Sequence, residues 1–382
     1  MHSQSDRNDG AAYFLYHSIG QYPGKAEESA RGLAEFCQIW GANDDAQWGA
    51  ALSTRQEFID GWRALINAPQ GTLTTAENVT ASLYTLIGSL PADHLKGKRV
   101  LVAQDCFPSL QFMLSGIAER FGFTLDTVAL RQGATWVEDE DFVASWGPDV
   151  GLALLTWVTS TSSHRGDLQT LVSHGRQMGS MIGVDITQAV GLLAYDVMDP
   201  LVDFTVSTSL KWLCGTPGAG ILHVARPLQM VCEPNPRGWF SQSDPFSWDL
   251  DKFSYAPDSR RFDNGTPSIM ASVASLPALV WHAKQDRAAM LAHNRELTQS
   301  MIDMVDAVGL ELVTPRAEQK RGGSIMIRLG SGVSTADLLD QMRENYCFAD
   351  ARGQILRLSP GTVTTAEGVE NLARFLTRVC NS

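Results

Sequence analysis

The sequence predicts an α/β protein with a large domain and a smaller α+β unit, on three observations. Short apolar runs alternate with helical stretches between residues 99 and 224, which is the pattern of a mostly parallel sheet covered by helices. The runs are apolar throughout, as in Val150–Trp157, which indicates burial on both faces of the sheet. The chain has 382 residues, which is enough for two packed units.

The elements of the large domain follow from local patterns in chain order. Helical spacing of apolar residues predicts helices at Lys25–Trp40, 54–67 and Thr75–Leu90, the last opened by Thr75 with Asn78 three residues later. Strands are predicted at Arg99–Ala103, Thr124–Leu130, Val150–Trp157, Met181–Asp185, Val202–Ser207 and Gly220–Val224, with helices at Leu110–Phe121 and Leu168–Met178.

Residues 227–270 change character, because Pro, Asp, Ser and aromatic residues dominate there. A long irregular segment is expected, and loops of this length are usually functional. Beyond it we predict one or two helices in Ile269–Val308, strands at Leu310–Val313, Gly323–Arg328 and Gln354–Leu358, and helices at Thr335–Asn345 and Thr364–Val379. The expected organisation is an N-terminal arm (1–45) belonging to the small domain, a large domain (46–270) and a small domain (271–382).

Composition excludes several classes of function. The net charge is −12, with 30 basic and 42 acidic residues and no basic patch, so no nucleic-acid partner is expected. The apolar stretches are far shorter than the ~20 residues that cross a bilayer, and the first residues lack an apolar signal core. We therefore expect a cytoplasmic protein without membrane contact. The six cysteines are scattered without a CxxC pair, so neither a disulfide framework nor a metal site is expected.

Lys211 is the first candidate for chemistry. It follows an apolar strand and the run Ser207–Ser209, and a glycine-rich turn comes after it. Burying an ammonium group costs several kcal/mol. Lys211 either extends its amine to solvent, or it is a desolvated amine with a lowered pKa that can form a Schiff base.

Asp185 is the second candidate, because it ends the predicted strand Met181–Asp185. Carboxylates at the carboxyl ends of parallel strands line the crevice where ligands bind, although an Asp at this place can also cap a helix. A carboxylate for a pyridine nitrogen and a Schiff-base lysine are the two protein groups that pyridoxal phosphate requires.

Seven short motifs extend this picture along the chain. They are YFLYHSIG (13–20), ENVTASLY (77–84), DCFPSL (105–110), DITQ (185–188), GWF (238–240), RRFDNGTP (260–267) and ILRLSPG (355–361). With Lys211 they resemble motifs of fold-type I pyridoxal-phosphate enzymes of the class V aminotransferase group, and within that group kynureninase, from about Tyr13 to about Thr377. The resemblance implies a large domain with a mostly parallel seven-stranded sheet and a smaller α+β C-terminal domain. It also implies pyridoxal 5'-phosphate as the cofactor and an active homodimer.

The resemblance assigns cofactor contacts to particular residues. Val79 and Thr80 would receive the phosphate at the start of a helix, where free N–H groups suit an anion. Phe107 would stack on the pyridine ring, and Asp185 would keep the ring nitrogen protonated. Lys211 would form the Schiff base and then act as base for the substrate's α-proton. The other implied cofactor contacts are Gln188, Ser209, Trp239 and Thr266, with Trp239 and Thr266 supplied to each site by the loop 238–267 of the other subunit.

The resemblance also implies a binding site for an amino-acid substrate. Arg357 would hold the substrate carboxylate by a two-pronged pair, with His17 and Ser18 beside the substrate. Considered without the family, Arg357 is equally an arginine on a surface strand, and Phe107 a core residue.

Four positions depart from kynureninase. Leu110, Gln188 and Leu210 stand where that family has Asp, His and Tyr, and Gly265–Pro267 replaces a Ser-Asn-Pro-Pro segment. These changes leave the cofactor residues intact but weaken the case for kynurenine as the substrate. Cysteine desulfurase chemistry needs a nucleophilic cysteine just before the carboxylate-binding arginine, and residues 348–356 contain none.

The function expected from the sequence is therefore a pyridoxal-phosphate enzyme that acts on an α-amino acid through Lys211. Kynureninase-like side-chain cleavage, by Cβ–Cγ hydrolysis or β-elimination, is the first hypothesis. The alternatives are a class V aminotransferase, a racemase or epimerase, a lyase for a modified amino acid in secondary metabolism, and a non-catalytic homologue. The aromatic loop 236–256 fits either a bulky hydrophobic substrate or packing at a dimer interface.

Overall fold

The computed structural model describes residues 12–380, and its elements alternate between strands and helices along most of the chain. The strands are β1 (Ala12–Tyr13), β2 (Leu73–Ala76), β3 (Arg99–Ala103), β4 (Thr124–Val128), β5 (Val150–Thr156), β6 (Met181–Asp185), β7 (Phe204–Thr208), β8 (Gly220–Val224), β9 (Glu311–Leu312), β10 (Ile325–Arg328), β11 (Cys347–Phe348), β12 (Asp350–Arg352) and β13 (Ile355–Leu358). The helices are α1 (Lys25–Trp40), α2 (Gln47–Leu65), α3 (Val79–Ile87), α4 (Pro108–Phe121), α5 (Asp139–Ala144), α6 (Leu168–Met178), α7 (Arg226–Val231), α8 (Ile269–Ala283), α9 (Arg287–Val308), α10 (Thr335–Glu344) and α11 (Ala366–Cys380).

A seven-stranded sheet forms the centre of the larger part, with the order β2-β8-β7-β6-β5-β3-β4. Strands β3 to β7 are parallel to one another, and β8 runs antiparallel to both β7 and β2. The strands β6, β7 and β8 are buried along their whole length, because helices cover both faces. The predicted α/β class and the mostly parallel seven-stranded sheet are confirmed.

The predicted helix Thr75–Leu90 is wrong at its start. Residues Leu73–Ala76 form the edge strand β2, whose β-branched threonines suit a strand. The helix α3 starts only at Val79, because the side chain of Asn78 accepts a hydrogen bond from the Ala81 N–H at 2.9 Å and so caps it.

The segment 227–270 is largely irregular, as predicted, with the short helix α7 and two 3₁₀ turns, Trp239–Ser241 and Ser259–Phe262. The region Ile269–Val308 forms two helices rather than one. The break between α8 and α9 falls before Asp286, whose carboxylate caps α9 by accepting from the N–H groups of Ala288 and Ala289.

The C-terminal unit contains a four-stranded antiparallel sheet with the order β12-β13-β10-β9. The strand β1 pairs in parallel with β11, which brings the start of the described chain onto this unit. Its core combines Ala12 and Phe14 with side chains of α9, α10 and α11. The helix α8, in contrast, packs with α1 and α2 against the large domain. We propose that the domain boundary lies between α8 and α9 rather than at residue 270, and that the N-terminal arm joins the small domain through residues 12–17, which pair with β11 and contact Asp350 and Ser359.

Two further classes of structure are not found in residues 12–380. No helix there has the length and apolarity to cross a bilayer. The same part of the chain has no cluster of three or more His, Cys, Asp or Glu side chains that could bind a metal ion.

Candidate active site

A cavity of about 810 Å³ opens at the carboxyl ends of β5, β6 and β7. Each of these strands ends in a polar residue that lines it, namely Thr156, Asp185 and Thr208. The start of α3 and the turn after β7 complete the wall, and this edge of a parallel sheet is where α/β proteins bind ligands.

Lys211 lies in the turn after β7 and reaches into this cavity. Its Nζ is 5.2 Å from the centre of the Phe107 ring and has no hydrogen-bond partner in residues 12–380. Burial lowers the pKa of Lys211 from 10.5 to about 8, although the nearby Asp185 carboxylate opposes the shift. About half of the amine is therefore uncharged, and so nucleophilic, at pH 8.

Asp185 is a buried carboxylate at the end of β6. Its Oδ1 accepts a hydrogen bond from the Thr187 N–H at 2.9 Å. Burial raises the pKa of Asp185, and the positive charge of Lys211 partly offsets that effect. A cationic N–H donor placed in the cavity would stabilise this carboxylate in its ionised form, and a protonated pyridine nitrogen is such a donor.

The first turn of α3 presents unpaired donors to the cavity. Val79 and Thr80 both line it, and no residue in the described part of the chain accepts a hydrogen bond from their N–H groups. The positive end of the helix dipole adds to these donors, so the site suits a phosphate.

Phe107 and Gln188 complete the set of predicted cofactor residues that the fold brings together. Phe107 is 44% exposed at the N-cap of α4, so it is not a core residue, and its ring faces the Lys211 amine. Gln188 lines the cavity, donates from Nε2 to the His17 carbonyl at 3.0 Å and accepts from the Trp212 indole at 3.3 Å. With the backbone N–H groups of Val79 and Thr80 and the side chains of Asp185 and Lys211, they form one set of polar groups and an aromatic face that fits pyridoxal phosphate.

Ser209 does not line the cavity, although the sequence predicts a cofactor contact there. Its hydroxyl donates to the Ala219 carbonyl at 2.8 Å and accepts from the Trp62 indole at 3.0 Å. Both bonds hold the turn that carries Lys211 in place, which gives Ser209 a structural role, and a direct contact with the cofactor stays a prediction.

Trp239 and Thr266 also lie outside the cavity of their own chain. Thr266 lines a second cavity of about 240 Å³, which shares Glu77, Ala81 and Gly218 with the first. Trp239 packs edge-on against Trp48, with ring centres 5.7 Å apart. Both residues are expected to serve the site of another copy, and that expectation stays a prediction.

Arg357 lies at the border of the cavity, in β13. Its Nη1 donates to the carbonyl of Ser160, which lines the cavity, at 3.2 Å. Its Nε and Nη2 donate to the two carboxylate oxygens of Asp350 at 2.7 and 2.5 Å. His17 contacts the same carboxylate, whereas the bond found for Ser18 within residues 12–380 runs from its backbone N–H to the Leu15 carbonyl.

Asp350 is the site residue that sequence reasoning missed. The signal was present, because Asp350 and Arg357 flank the turn at Gly353 and so face each other across a hairpin. Opposite charges in a directly opposed cross-strand pair stabilise a hairpin. A hairpin predicted around Gly353 would therefore have paired Asp350 with Arg357.

Two of the residues that depart from kynureninase make part of the cavity wall apolar. Leu110 and Leu210 both line it. No cysteine is among the lining residues of the described chain, and Cys347 is buried in β11.

Comparisons with known proteins identify a family and similar folds. A family model described as aminotransferase class-V matches residues 52–372. The chain is 28% identical to the isopenicillin N epimerase of Streptomyces clavuligerus over 80% of this chain and 79% of that protein. It is 27% identical to the kynureninase of Deinococcus radiodurans over 74% of this chain and 71% of that protein. A solved structure of a C-DES variant, with glycine covalently linked to its PLP cofactor, superposes with a TM-score of 0.86 at 18% identity and 97% coverage of both chains.

Proposed function

The chain belongs to the class V aminotransferase family of pyridoxal-phosphate enzymes, and from that premise we propose that it acts on an α-amino acid through Lys211, by kynureninase-like side-chain cleavage. The observation that carries the proposal is the Lys211 amine, with its pKa lowered to about 8, in one cavity with Asp185, Phe107 and the open N-terminus of α3. A non-catalytic homologue has no need of a buried amine in this arrangement, because such an amine is destabilising.

We assign the binding of the cofactor to four groups of the chain. The N–H groups of Val79 and Thr80 would hold the phosphate, and Phe107 would cover one face of the ring. Asp185 would hold a proton at the ring nitrogen, and Lys211 would supply the amine that holds the aldehyde group. When bound, pyridoxal phosphate supplies an electron-withdrawing ring that accepts the electron pair of a broken bond at the substrate α-carbon.

The proton transfers fall to Lys211, because it is the free amine in the cavity. The pKa of about 8 leaves about half of the Lys211 amines uncharged at pH 8, and so able to accept a proton. An amine of that pKa is suited to take a proton from the substrate α-carbon and return one later. Arg357 holds the substrate carboxylate, which fixes the orientation of the bonds at that carbon.

The test is turnover of L-kynurenine by the cofactor-loaded protein, read by anthranilate fluorescence together with release of alanine. The proposal predicts both products in equal amounts, and none from Lys211→Ala. The matched control is Lys252→Ala, since Lys252 is a surface residue paired with Asp249, and its activity should equal that of the native chain. Equal activity in Lys211→Ala would contradict the proposal.

Epimerisation at the α-carbon is the second candidate. It is favoured by the 28% identity with an isopenicillin N epimerase and by Leu210 and Gln188, which replace the Tyr and His of kynureninase. An epimerase needs proton removal and return at the α-carbon but no cleavage of the side chain. Interconversion of D and L enantiomers without anthranilate formation would select this candidate over cleavage.

A homodimer is part of the proposal. The loop 238–267 of one copy completes the site of the other, with Thr266 at the phosphate. Support comes from the second cavity around Thr266, which adjoins the first turn of α3 through Ala81. Phe246 and Trp248 are large exposed aromatics in the same loop, and an apolar surface of this kind suits burial between subunits.

A further inference from the structure

The carboxylate of Asp350 occupies one whole edge of the Arg357 guanidinium. The two residues are directly opposed in the antiparallel pair β12–β13, so the backbone fixes their distance. Nε and Nη2 of Arg357 bind the two oxygens of Asp350, and Arg357 is only 5% exposed. The pair is therefore a built part of the fold rather than a surface contact.

A count of donors shows what remains of Arg357 for a ligand. A guanidinium has five N–H groups. Two are used by Asp350 and a third by the Ser160 carbonyl. The two left over are one on Nη1 and one on Nη2. These terminal nitrogens form the end-on fork that a carboxylate accepts, and the Nη1 side is at the cavity because Ser160 lines it.

His17 holds Asp350 from the other side. Its Nε2 is 2.8 Å from Asp350 Oδ1, and its Nδ1 is 2.6 Å from the Ser359 hydroxyl. Burial lowers the pKa of His17 to about 4, so the ring is neutral at pH 7 and Nε2–H donates to Asp350 while Nδ1 accepts from Ser359. The His17 carbonyl in turn accepts from Gln188, which joins this network to the cofactor pocket.

The charge of the pair also matters. The arginine and histidine contacts hold the pKa of Asp350 well below its usual range, so it stays ionised and cancels the charge of Arg357. A ligand carboxylate is therefore attracted by two oriented hydrogen bonds more than by net positive charge. Removal of the Asp350 charge would make the site more positive but would also free the Arg357 guanidinium to rotate. We expect the loss of orientation to weaken the binding of a carboxylate ligand.

Resting on the proposed amino-acid substrate, we propose that Asp350 and His17 are positioning residues, which fix Arg357 for end-on binding of the substrate carboxylate and so select amino acids over the matching amides. Asp350 contacts neither cofactor nor substrate and acts through Arg357. The selection is a property of the site that holds for any side chain of the substrate.

The test compares L-alanine with L-alaninamide, which has an uncharged amide in place of the carboxylate. Dissociation constants for both probes are measured by the change in cofactor absorbance of the loaded protein. The native chain should bind L-alanine at least about tenfold more tightly than L-alaninamide, because only the carboxylate of L-alanine forms charge-assisted hydrogen bonds with Arg357. Asp350→Asn should lose about tenfold in affinity for L-alanine while its affinity for L-alaninamide stays within about twofold.

Two variants serve as controls. Asp340→Asn removes an exposed carboxylate paired with Arg343 and should leave both constants unchanged. Asp350→Glu keeps the charge beside the buried arginine and so preserves folding, but its longer chain shifts the guanidinium. Its affinity for L-alanine should lie between those of the native chain and Asp350→Asn. If Asp350→Asn does not accumulate as folded, cofactor-loaded protein, the affinity of Asp350→Glu tests the inference in its place.

Unchanged or tighter binding of L-alanine in both Asp350 variants would overturn the inference. A native chain that binds the two probes equally would also overturn it, while leaving the proposed function in place. A cofactor-loaded native chain that binds neither probe would instead overturn the proposed function itself, and with it the inference. The three results are distinguishable in one set of titrations.

Discussion

At the scale of single residues, the burial of Lys211 makes its amine reactive and also reduces the stability of the folded chain. Its amine is enclosed by the cavity wall and faces an aromatic ring, and this enclosure lowers its pKa from 10.5 to about 8. The same desolvation that makes the amine nucleophilic at moderate pH destabilises the charged form in the folded chain. Such a conflict is typical of residues that serve a reaction.

The pKa of Lys211 predicts how the cofactor-free chain captures pyridoxal phosphate. Only the uncharged amine attacks the aldehyde, so the rate should rise with pH and reach half of its maximum near pH 8. Stopped-flow absorbance between pH 6.5 and 9.5 measures this rate, with Lys211→Ala as the blank. A rate that still rises tenfold per pH unit at pH 9.5, with no approach to a plateau, would show an ordinary, solvated lysine.

Asp105 offers a second test, this time on stability. Its Oδ2 accepts from the Val137 N–H at 3.2 Å, whereas Oδ1 has no partner in the described part of the chain. Burial raises its pKa from 3.8 to about 6, so the folded state binds more protons than the unfolded state between these values. Stability from this group is therefore lost as pH rises through that window, by up to about 3 kcal/mol at pH 7.

Asp105→Asn should raise the free energy of unfolding at pH 7 because no charge is then buried, and it should raise it much less at pH 4. Urea unfolding of the cofactor-free chain at the two pH values measures the difference. The exposed Asp93→Asn is the matched control and should show no such contrast. A larger gain at pH 4 than at pH 7 would reverse the sign and refute the account.

At the scale of elements, α3 links helix capping to cofactor affinity. Asn78 caps the helix by accepting a hydrogen bond from the Ala81 N–H. Val79 and Thr80, which lie between these two residues, line the cavity. Asp caps as well as Asn does, so Asn78→Asp should preserve the helix while placing a negative charge beside the phosphate site. Its affinity for pyridoxal phosphate should fall at least about tenfold, while its affinity for pyridoxal should not change.

Asn78→Ser is the matched control, because a serine cap is neutral. Equilibrium titration with both aldehydes measures the affinities in each variant. Equal losses for pyridoxal and pyridoxal phosphate in Asn78→Asp would mean that the charge does not meet the phosphate there, and the assigned site would be wrong.

The same scale shows what sequence patterns predict. Continuous apolar runs such as Met181–Asp185 and Gly220–Val224 identified the central strands with their observed bounds, because a strand buried on both faces must be apolar throughout. The strands Ala12–Tyr13 and Cys347–Phe348 went unseen, since two residues carry no periodicity and their pairing joins distant parts of the chain. Thr75 and Ala76, the second half of β2, were assigned to a helix, because the strand that pairs with them, β8, lies far along the sequence.

The residues of the candidate site also divide into those that local sequence patterns reveal and those that depend on the fold. Lys211 and Asp185 stood out because a charge beside an apolar strand is costly without a function. Phe107, Thr80 and Arg357 were identified through the family resemblance alone. Asp350 was missed because its meaning depends on the cross-strand pairing with Arg357, which only the fold shows.

At the scale of the whole molecule, the shared site predicts complementation between inactive variants. Lys211→Ala lacks the amine in its own cavity, and Thr266→Ala lacks the group that is proposed to reach the other copy. A mixed dimer carries one site with both defects and one site with neither. Co-refolded mixtures should therefore regain activity, up to about one quarter of the native rate for equal amounts, which a random pairing of two variants allows.

The comparison for this prediction is a mixture of Lys211→Ala with Asp185→Asn, whose defects both lie in the same cavity of one chain. The mixed dimers of that pair have one defect in each site, so activity should not return. Light scattering confirms the dimer before the assay. Complementation in neither mixture, or in both, would remove the case for a shared site.

The most direct test of the central claim is exchange of the α-proton of L-alanine for deuterium, because it depends on Lys211 and on no later step of the reaction. The cofactor-loaded chain and its Lys211→Ala variant are incubated with L-alanine in D₂O, and the α-proton signal is followed by NMR. We predict that the signal is lost with the native chain and persists with the variant. Equal exchange in both proteins, or none in a native chain shown to hold its cofactor, would contradict the assignment of Lys211 as the base.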